Sequence, residues 1–206
     1  MKGLVLLSLV LFSLSSSFGQ EWKHKKTDDY GIAIYTRSKE NSVYKEYKIS
    51  TTLRTTPEVI LAELLDAPAY NEDACEPGIS YYVEERAPNE HLFYAQKKLP
   101  WPFKNRDLVT LITVHRISDS KITLTMEGLP GGLPSLEKTL RIKTLMGEWT
   151  LEKDGINTQV TQQLYVDPEG SLPPVIVNSM LTKGPHKTFR DLKQIVESHN
   201  STDLGR

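Results

Sequence analysis

The feature that most constrains the fold is an alternation of apolar and polar side chains that extends from residue 79 to residue 167. A period of two is typical of β-strands that bury one face and leave the other in water. Short polar or glycine-containing turns interrupt the pattern and predict three strand pairs, at 79–85 with 91–98, 107–117 with 121–128, and 138–152 with 156–167. Consecutive hairpins of this kind favour an antiparallel meander.

The residues ahead of this region predict two more strands and a helix. The strands are at 31–35 and 42–53, where apolar side chains stand among charged ones. A helix begins at residues 55–57, because threonine suits the position before a helix and proline suits its first turn. Pro68 ends this helix, and a further helical turn is predicted at 70–74.

The C-terminal region predicts one long helix from about residue 172 to residue 198, with a kink or flexible point at Gly184-Pro185. Its apolar stripe comprises Val177, Leu181, Thr188, Leu192 and Ile195, flanked by Phe189 and Val196. The simplest packing wraps a curved antiparallel sheet around this helix, so the predicted fold class is α+β.

Residues 1–19 predict a separate segment. A basic start, an apolar run and a small-residue end are typical of a secretory signal peptide, and an uncleaved membrane anchor is the alternative. We therefore expect an exported protein, periplasmic or extracellular, with one domain at 20–199 and a disordered tail at 200–206. With Cys75 as its single cysteine, an exported chain forms no intramolecular disulfide and depends on a packed core.

The charge balance bears on possible partners. The chain has 25 basic and 26 acidic residues, and removal of Lys2 leaves 24 − 26 = −2. This near-neutral total gives no indication of a nucleic-acid partner. The histidines are scattered, and neither a glycine-rich phosphate loop nor a nucleophile elbow occurs, so we expect no metal and no cofactor. We also expect a monomer.

Three motifs on this order of elements resemble those of START lipid-transfer domains. They are LPWPFKNRD at 99–107, GEWTL at 147–151 and DPEGSLPPVIVN at 167–178. The resemblance covers residues 30–196 and implies a helix-grip fold, in which a curved sheet and the terminal helix enclose a cavity for one lipid or similar apolar ligand. Sterol-binding members often carry a second arginine where this chain has Ile112, which argues against a sterol hydroxyl or phosphate contact at that point.

The resemblance places Arg106 on the cavity side, where it could meet a ligand headgroup. The alternative is a structural ion pair that ties the Trp101 loop to a neighbouring strand. If Arg106 points inward, strand alternation brings further side chains into the cavity. The predicted ligand-binding residues are Tyr81, Val83, Tyr94, Gln96, Arg106, Leu108, Thr110, Ile112, Leu124, Met126, Trp149, Gln162, Leu164, Val177 and Leu181. Ordinary core is the alternative for each of them, and a β-bulge would reverse some of these faces.

Trp101 and Phe103 lie in a proline-rich loop, where an aromatic pair could dip into a lipid surface or close the mouth of the pocket. The alternative is an anchor buried under the sheet edge. Lys183, Lys187 and Arg190 could face anionic headgroups or form a solvated helix face. The expected partners are a lipid or other hydrophobic small molecule and, transiently, a membrane surface.

The sequence therefore favours a binding protein over an enzyme, and no catalytic residue is predicted. Such a protein binds, and could transfer or sense, a lipid or other hydrophobic small molecule. The first alternative is an enzyme of cyclase or hydrolase type that holds a hydrophobic substrate at Arg106, Tyr81 or Tyr94. A structural or signalling protein with a vestigial pocket is the second alternative.

Overall fold

The computed structural model describes residues 20–66 and 78–203, which form ten β-strands and three α-helices. The strands are β1 Lys23–Thr27, β2 Ala33–Ser38, β3 Lys45–Leu53, β4 Gly78–Ala87, β5 Glu90–Lys97, β6 Asn105–Ser118, β7 Lys121–Gly128, β8 Thr139–Arg141, β9 Leu145–Asp154 and β10 Asn157–Val166. The helices are α1 Pro57–Leu65, α2 Pro174–Met180 and α3 Lys183–Asp203. Within these two described ranges, no helix has both the length and the apolar character that crossing a bilayer requires.

The strands form one sheet in the order β1-β2-β3-β10-β9-β7-β6-β5-β4, and β8 pairs with β6 off this path. Neighbours along the path are antiparallel. The predicted hairpins are therefore present, and the pairing of β3 with β10 attaches the first three strands to them. The predicted α+β helix-grip architecture, an antiparallel sheet with a long C-terminal helix, is confirmed.

One face of the sheet, which we call the inner face, packs against α1 and α3. The strand register aligns a row of residues across the middle of this face, namely Ile49, Gln162, Trp149, Leu124 and Val114. All five are buried, and the four apolar ones belong to the main hydrophobic cluster. Removal of this apolar surface from water is the main favourable term in folding.

Three residues of α3 are at most 1% exposed and pack on this row: Phe189, Leu192 and Val196. The ring of Phe189 stacks on that of Trp149, with the centroids 5.0 Å apart. The predicted stripe is therefore rotated, because Thr188 and Ile195 are half-buried at its flanks rather than central to it. A helical period predicts which residues share a face, but not which of them points directly at the sheet.

The prediction of a single terminal helix is wrong, because residues 181–182 separate α2 from α3. The predicted kink at Gly184-Pro185 instead lies in the first turn of α3. Proline is tolerated there because the first N–H groups of a helix have no partner within it. The hydrogen bonds of α3 begin one residue later, where the N–H of His186 donates to the carbonyl oxygen of Thr182 at 3.0 Å.

The predicted strand at 138–152 is also wrong, since it consists of two strands with different partners. β8 lies parallel to β6, with Thr139 opposite Asn105, whereas β9 pairs with β7 and β10. Between β8 and β9, the N–H of Ile142 donates to the carbonyl oxygen of Asp107 at 2.8 Å. The separation depends on contacts with a strand that is distant in sequence, so local alternation does not reveal it.

β1 has no counterpart among the predicted strands. All five of its residues, Lys-His-Lys-Lys-Thr, are exposed, so they show no alternation of apolar and polar side chains. Lysines are common on edge strands, where they discourage pairing with another chain.

α1 begins and ends close to the predicted positions. Thr56 occupies the position before Pro57, although its side chain makes no capping hydrogen bond. The predicted helical turn at 70–74, Cys75 and the predicted signal peptide at 1–19 lie outside the described residues.

Candidate functional site

The inner face carries most of the predicted ligand-binding residues. Ile112 of β6 belongs to the main core, so strand alternation places the other even-numbered residues of β6 on the same face. The predicted residues on the inner face are Arg106, Leu108, Thr110, Ile112, Leu124, Met126, Trp149, Gln162 and Leu164. Leu181 packs against the edge of the core, and Val177 of α2 is half-buried. Ligand contact by these residues stays a prediction.

Four residues predicted to line the cavity, Tyr81, Val83, Tyr94 and Gln96, lie on the opposite, outer face. Tyr94 belongs to a second, smaller cluster on β5 and β6, and Val83 packs against that cluster. The rings of Tyr81 and Tyr94 lie 5.2 Å apart, and Nε2 of Gln96 donates to Oγ1 of Thr139 at 3.5 Å. The predicted face is therefore wrong, and a ligand held between the sheet and α3 would not meet these side chains.

Two local features explain this error. At residues 92–94, β5 has large apolar side chains on both faces, because the segment after β7 covers its outer face. Alternation cannot distinguish the faces of such a strand. In β4 the register shifts between Tyr82 and Glu84, and this irregularity reverses the alternation. Tyr82 and Phe93 therefore occupy the inner positions in β4 and β5.

Burial is uneven across the inner face. Beneath α3, Trp149 and Leu124 are 5% and 2% exposed. Towards α2, Leu145 is 3% exposed, but several other inward-facing apolar side chains are only half-buried, namely Phe93, Leu108, Met126, Leu164 and Leu181. A packed layer of sheet and helix buries such side chains fully. These five residues, which we call the half-buried set, therefore surround a part of the inner face that α3 does not cover.

Thr110 lies beside the half-buried set, opposite Phe93 of β5 and Gly128 of β7. Its side chain is fully buried, and its hydroxyl oxygen has no hydrogen-bond partner among the described residues. Leaving a buried hydroxyl without a partner costs about 1–3 kcal/mol, and such groups are rare in folded proteins. The inner face thus contains a hydrogen-bonding group that the protein does not satisfy.

A second polar group on this face is satisfied internally. The hydroxyl of Tyr47 donates to Oε1 of Gln162 at 2.8 Å, and both side chains are buried. Gln162 lies opposite Trp149 in the register, under the part of the sheet that α3 covers. A paired polar group of this kind helps to order a core without a ligand.

Arg106 is buried, and each of its three guanidinium nitrogens donates to a backbone carbonyl. Nε donates to Pro168 at 2.6 Å, one Nη donates to Glu169 at 2.9 Å, and the other Nη donates to Lys104. Burial lowers the pKa of Arg106, and the smaller effects of Tyr44 and Glu169 act in the opposite direction. The predicted ion pair with a neighbouring strand is wrong, because the acceptors are loop carbonyls. Arg106 instead fastens the loop that contains Trp101 to the turn before α2.

The turn before α2 has an unusual backbone. Glu169 and Gly170 have φ angles of 57° and 69°, in the left-handed region that glycine adopts readily and glutamate rarely. The side chain of Asp167 supports the turn, since its Oδ1 accepts the N–H of Glu169 at 2.9 Å. α2 is then held against the start of β3, where Oδ1 of Asn178 accepts the N–H of Lys45 at 2.9 Å.

Apolar side chains are exposed on the β5–β6 loop and on α2, which follows the turn that Arg106 holds. Trp101, in the β5–β6 loop, is 92% exposed, so the predicted alternative of a buried loop anchor is wrong for this residue. On α2, Val175, Ile176 and Met180 are exposed as well. We call these four residues the apolar rim. Phe103, the other aromatic residue of the loop, is half-buried.

The first turns of α3 are tied to the β1–β2 turn. Nε2 of His186 lies 2.7 Å from Oδ2 of Asp28, whose other oxygen accepts the N–H groups of Tyr30 and Ile32. Burial raises the pKa of Asp28, but these hydrogen bonds and His186 outweigh burial and hold it below its usual value. The predicted basic residues on α3 are partly engaged, since the guanidinium of Arg190 lies over the Tyr30 ring.

On the outer face, Arg141 and Asp107 form a buried ion pair. Nε and one Nη of Arg141 donate to the two carboxylate oxygens of Asp107 at 2.9 and 2.8 Å. The remaining N–H groups of Arg141 donate to the carbonyls of Pro130, Leu133 and Pro134. The hydrogen bonds to Asp107 raise the pKa of Arg141. All five guanidinium N–H groups are therefore used, and the segment after β7 is held against β6.

Comparisons with known proteins agree with this architecture. A model of the START domain family matches residues 9–202. The chain is 27% identical over 202 residues to the uncharacterised protein PA1579 of Pseudomonas aeruginosa, covering 94% of this chain and 95% of that protein. It is 21% identical over 192 residues to human phosphatidylcholine transfer protein, covering 88% of this chain and 86% of that protein.

Solved structures show the same fold. The StAR-related lipid transfer protein of Xanthomonas axonopodis superposes with a TM-score of 0.75 at 29% identity, covering 85% of this chain and 98% of that one. Human STARD10 superposes with a TM-score of 0.67 at 18% identity, covering 90% of this chain and 76% of that one. The family model, which extends over most of the chain, decides the assignment. The chain belongs to the START domain family, whose members bind lipids or other hydrophobic ligands.

Proposed function

We propose that this protein binds one lipid or other hydrophobic small molecule between the inner face and α3, and transfers or presents it. The half-buried set carries the proposal, because it surrounds an apolar part of the inner face that α3 leaves uncovered. Burial of apolar surface contributes about 25 cal/mol per Å², so a hydrocarbon chain that covers these residues is stabilised there. The proposed role is binding rather than catalysis.

Two relatives support this proposal by their names. The Xanthomonas axonopodis protein is a StAR-related lipid transfer protein, and the human relative is a phosphatidylcholine transfer protein. Both resemble this chain along most of its length.

In this proposal the ligand enters between the β5–β6 loop and α2. None of the residues of α2 is fully buried, and Asn178 attaches the helix to β3 through the backbone of Val43 and Lys45. The break at 181–182 serves as the hinge. Rotation of α2 about this hinge uncovers the members of the half-buried set that lie on the sheet, namely Phe93, Leu108, Met126 and Leu164.

We also propose that the apolar rim touches a membrane surface while the ligand exchanges. Trp101 lies on the loop that Arg106 holds, and the other members of the rim lie on α2, which follows the turn held by the same arginine. A cluster of exposed apolar side chains beside a ligand site is typical of a surface that binds lipid or protein, and tryptophan favours the membrane–water boundary.

Export and a monomeric state complete the proposal. The support for export is the sequence of residues 1–19. When the full sequence is expressed in a bacterium with a periplasm, we expect mature protein that begins at Gln20 in the periplasmic fraction. Amino-terminal sequencing checks this, and retention of Met1 would contradict export. Size-exclusion chromatography with light scattering checks the monomer.

Two tryptophan substitutions on β6 test the binding site. Leu108→Trp places an indole in the proposed ligand space, whereas Leu111→Trp places one on the outer face of the same strand. We expect a fluorescent fatty-acyl probe to bind the parent and Leu111→Trp alike, and to bind Leu108→Trp at least about tenfold more weakly, because bulk added to an occupied space costs about 1–3 kcal/mol. If a folded Leu108→Trp variant bound the probe as well as the parent, the proposed site would be wrong.

A further inference from the structure

Thr110 is one of two residues in the described ranges with a buried side-chain oxygen that lacks a hydrogen-bond partner. The other is Tyr94, on the outer face, where burial and then the charge of Asp107 raise the pKa of its hydroxyl. Of the two, only Thr110 lies on the inner face, between the strand positions of Leu108 and Ile112. Folding has taken its hydroxyl out of water without replacing the lost hydrogen bonds, so a ligand atom can supply what the protein does not.

Thr110 lies on the inner face at a distance from the turn before α2. Arg106, beside the turn before α2, precedes it by four residues on the same strand and the same face, which corresponds to about 13 Å at 3.3 Å per residue. Leu108 and Ile112 lie on either side along β6, and Phe93 faces it from β5. The hydroxyl therefore has apolar neighbours, and it is positioned to meet an inner part of the ligand.

The charges on this face are placed away from Thr110. Every guanidinium nitrogen of Arg106 already donates to a carbonyl, and Lys97 lies opposite Arg106 near α2. His91 occupies a diagonal position across β5, where its ring packs against Tyr82 at a centroid distance of 6.0 Å. Among the described residues, no free cation pairs directly with a ligand carboxylate or phosphate at Thr110, and burying such an unpaired charge is far more costly than burying a hydroxyl or carbonyl that is hydrogen-bonded.

We propose that Thr110 selects ligands that carry an uncharged hydrogen-bonding oxygen, a hydroxyl or an ester carbonyl, on the part of the molecule that lies deepest in the site. A threonine hydroxyl both donates and accepts, so it can pair with either group. The inference rests on the proposed function and deepens it, since it names the chemical class that the same site prefers. A long-chain alcohol is held in preference to a carboxylate with an identical chain.

Three variants of the full-length protein test this inference. Thr110→Val removes the hydroxyl at nearly constant volume, and Thr110→Ser keeps a hydroxyl at that position. Thr113→Val is the matched control, because it makes the same change on the same strand but on the outer face. The probes are oleyl alcohol and oleate at pH 8, and each is measured by displacement of a fluorescent fatty-acyl chain.

We expect the parent to bind oleyl alcohol about tenfold more tightly than oleate. Thr110→Val should weaken the binding of oleyl alcohol by about five- to tenfold, as loss of one hydrogen bond predicts. The affinity for oleate should stay within about twofold of that of the parent. Thr110→Ser should restore most of the preference, and Thr113→Val should bind like the parent. Thr110→Val should also raise the urea midpoint of the ligand-free protein, because it removes an unsatisfied hydroxyl, whereas a hydroxyl that only supports the fold would have the opposite effect.

The outcomes separate this inference from the proposed function. Binding of oleyl alcohol by Thr110→Val with parental affinity would overturn the role of Thr110 and leave lipid binding intact. Parental preference for oleate would also overturn it. If the parent bound neither probe nor the fluorescent chain, the proposed function would fail, and this inference with it.

Discussion

β5 and β6 have two faces that are built in opposite ways. On the outer face, the Arg141–Asp107 pair is buried, every N–H of the guanidinium is used, and an apolar cluster packs beside it. On the inner face, the apolar side chains near α2 are half-buried, and the hydroxyl of Thr110 has no partner among the described residues. The hydroxyl of Tyr94 on the outer face also lacks a partner among the described residues, so the two faces differ in their charged and apolar groups. We call the outer face, with its fully paired guanidinium, the completed face, and we call the inner face near α2 the incomplete face. The half-buried apolar side chains near α2 lie on the face where we propose that a ligand binds.

The largest loss of stability is expected from breaking the buried Arg141–Asp107 ion pair on the outer face. Arg141→Met leaves the carboxylate of Asp107 buried and unpaired, and removing one partner of a buried pair costs about 3–5 kcal/mol. Urea denaturation measures this loss in the free energy of unfolding. Arg116→Gln is the control, because its pair with Glu58 is exposed and should contribute at most about 1 kcal/mol. Equal losses for the two variants would contradict the comparison.

A smaller loss of stability is expected from a substitution at Gly147, where the backbone of the inner face is closely packed against its neighbours. Gly147 lies between Leu164 and Met126, and a Cβ there would come within 2.3 Å of Cδ1 of Leu164 and 2.9 Å of the carbonyl oxygen of Gln163. We expect Gly147→Ala to cost about 1–3 kcal/mol and to weaken ligand binding, because Leu164 must move into the ligand space.

The control for this change is Gly131→Ala, since a Cβ at Gly131 would meet no atom within 4 Å. Unfolding and probe binding are measured for both variants. Unchanged binding in Gly147→Ala would show that Leu164 does not border the ligand.

The next effect concerns the attachment of α3, which covers the other part of the inner face. The folded protein holds the pKa of Asp28 below its usual value, so this group stabilises the fold above the unfolded-state pKa of about 3.9. That contribution is lost as the pH falls through the lower, folded-state pKa. Asp28→Asn should cost about 1 kcal/mol at neutral pH and flatten the acid limb of stability. Urea midpoints between pH 7 and pH 3 check this, and parallel curves for both proteins would contradict it.

The smallest effect on stability is expected at the apolar rim. Trp101→Ser replaces an exposed side chain, so the free energy of unfolding should change by less than about 0.5 kcal/mol. Transfer of a fluorescent lipid between vesicles should nevertheless slow by about threefold or more, since an interfacial anchor is lost. Ile156→Ser, an exposed apolar residue in the β9–β10 turn, is the matched control. Equal transfer rates for both variants would remove Trp101 from the contact surface.

The hairpins and the terminal helix could be predicted because each element buries one face and exposes the other to solvent. Where β5 is apolar on both faces, that signal vanishes, and Tyr94 was placed on the wrong side. The separation of β8 from β9 could not be predicted either, because it depends on pairing with β6. An element with one buried face and one exposed face can thus be predicted from its local sequence. An element that is covered on both faces, or paired with a distant strand, depends on tertiary contacts.

The candidate site shows the same limit. Alternation correctly predicted that Thr110 shares a face with Ile112. It could not predict that the hydroxyl lacks a partner, which depends on every group around it. The acceptors of Arg106 were beyond sequence reasoning for a similar reason, since they are backbone carbonyls of two separate loops.

The acceptors of Arg106 have a consequence for how this protein tolerates change. Every amino acid has a backbone carbonyl, so replacing the side chains of Lys104 or Glu169 leaves the acceptors of Arg106 in place. An insertion or deletion in either loop moves those carbonyls and breaks the connection. Other residue types of the two loops can therefore be redesigned for a different ligand or membrane, provided that the loop lengths, Arg106, Asp167 and Gly170 are kept.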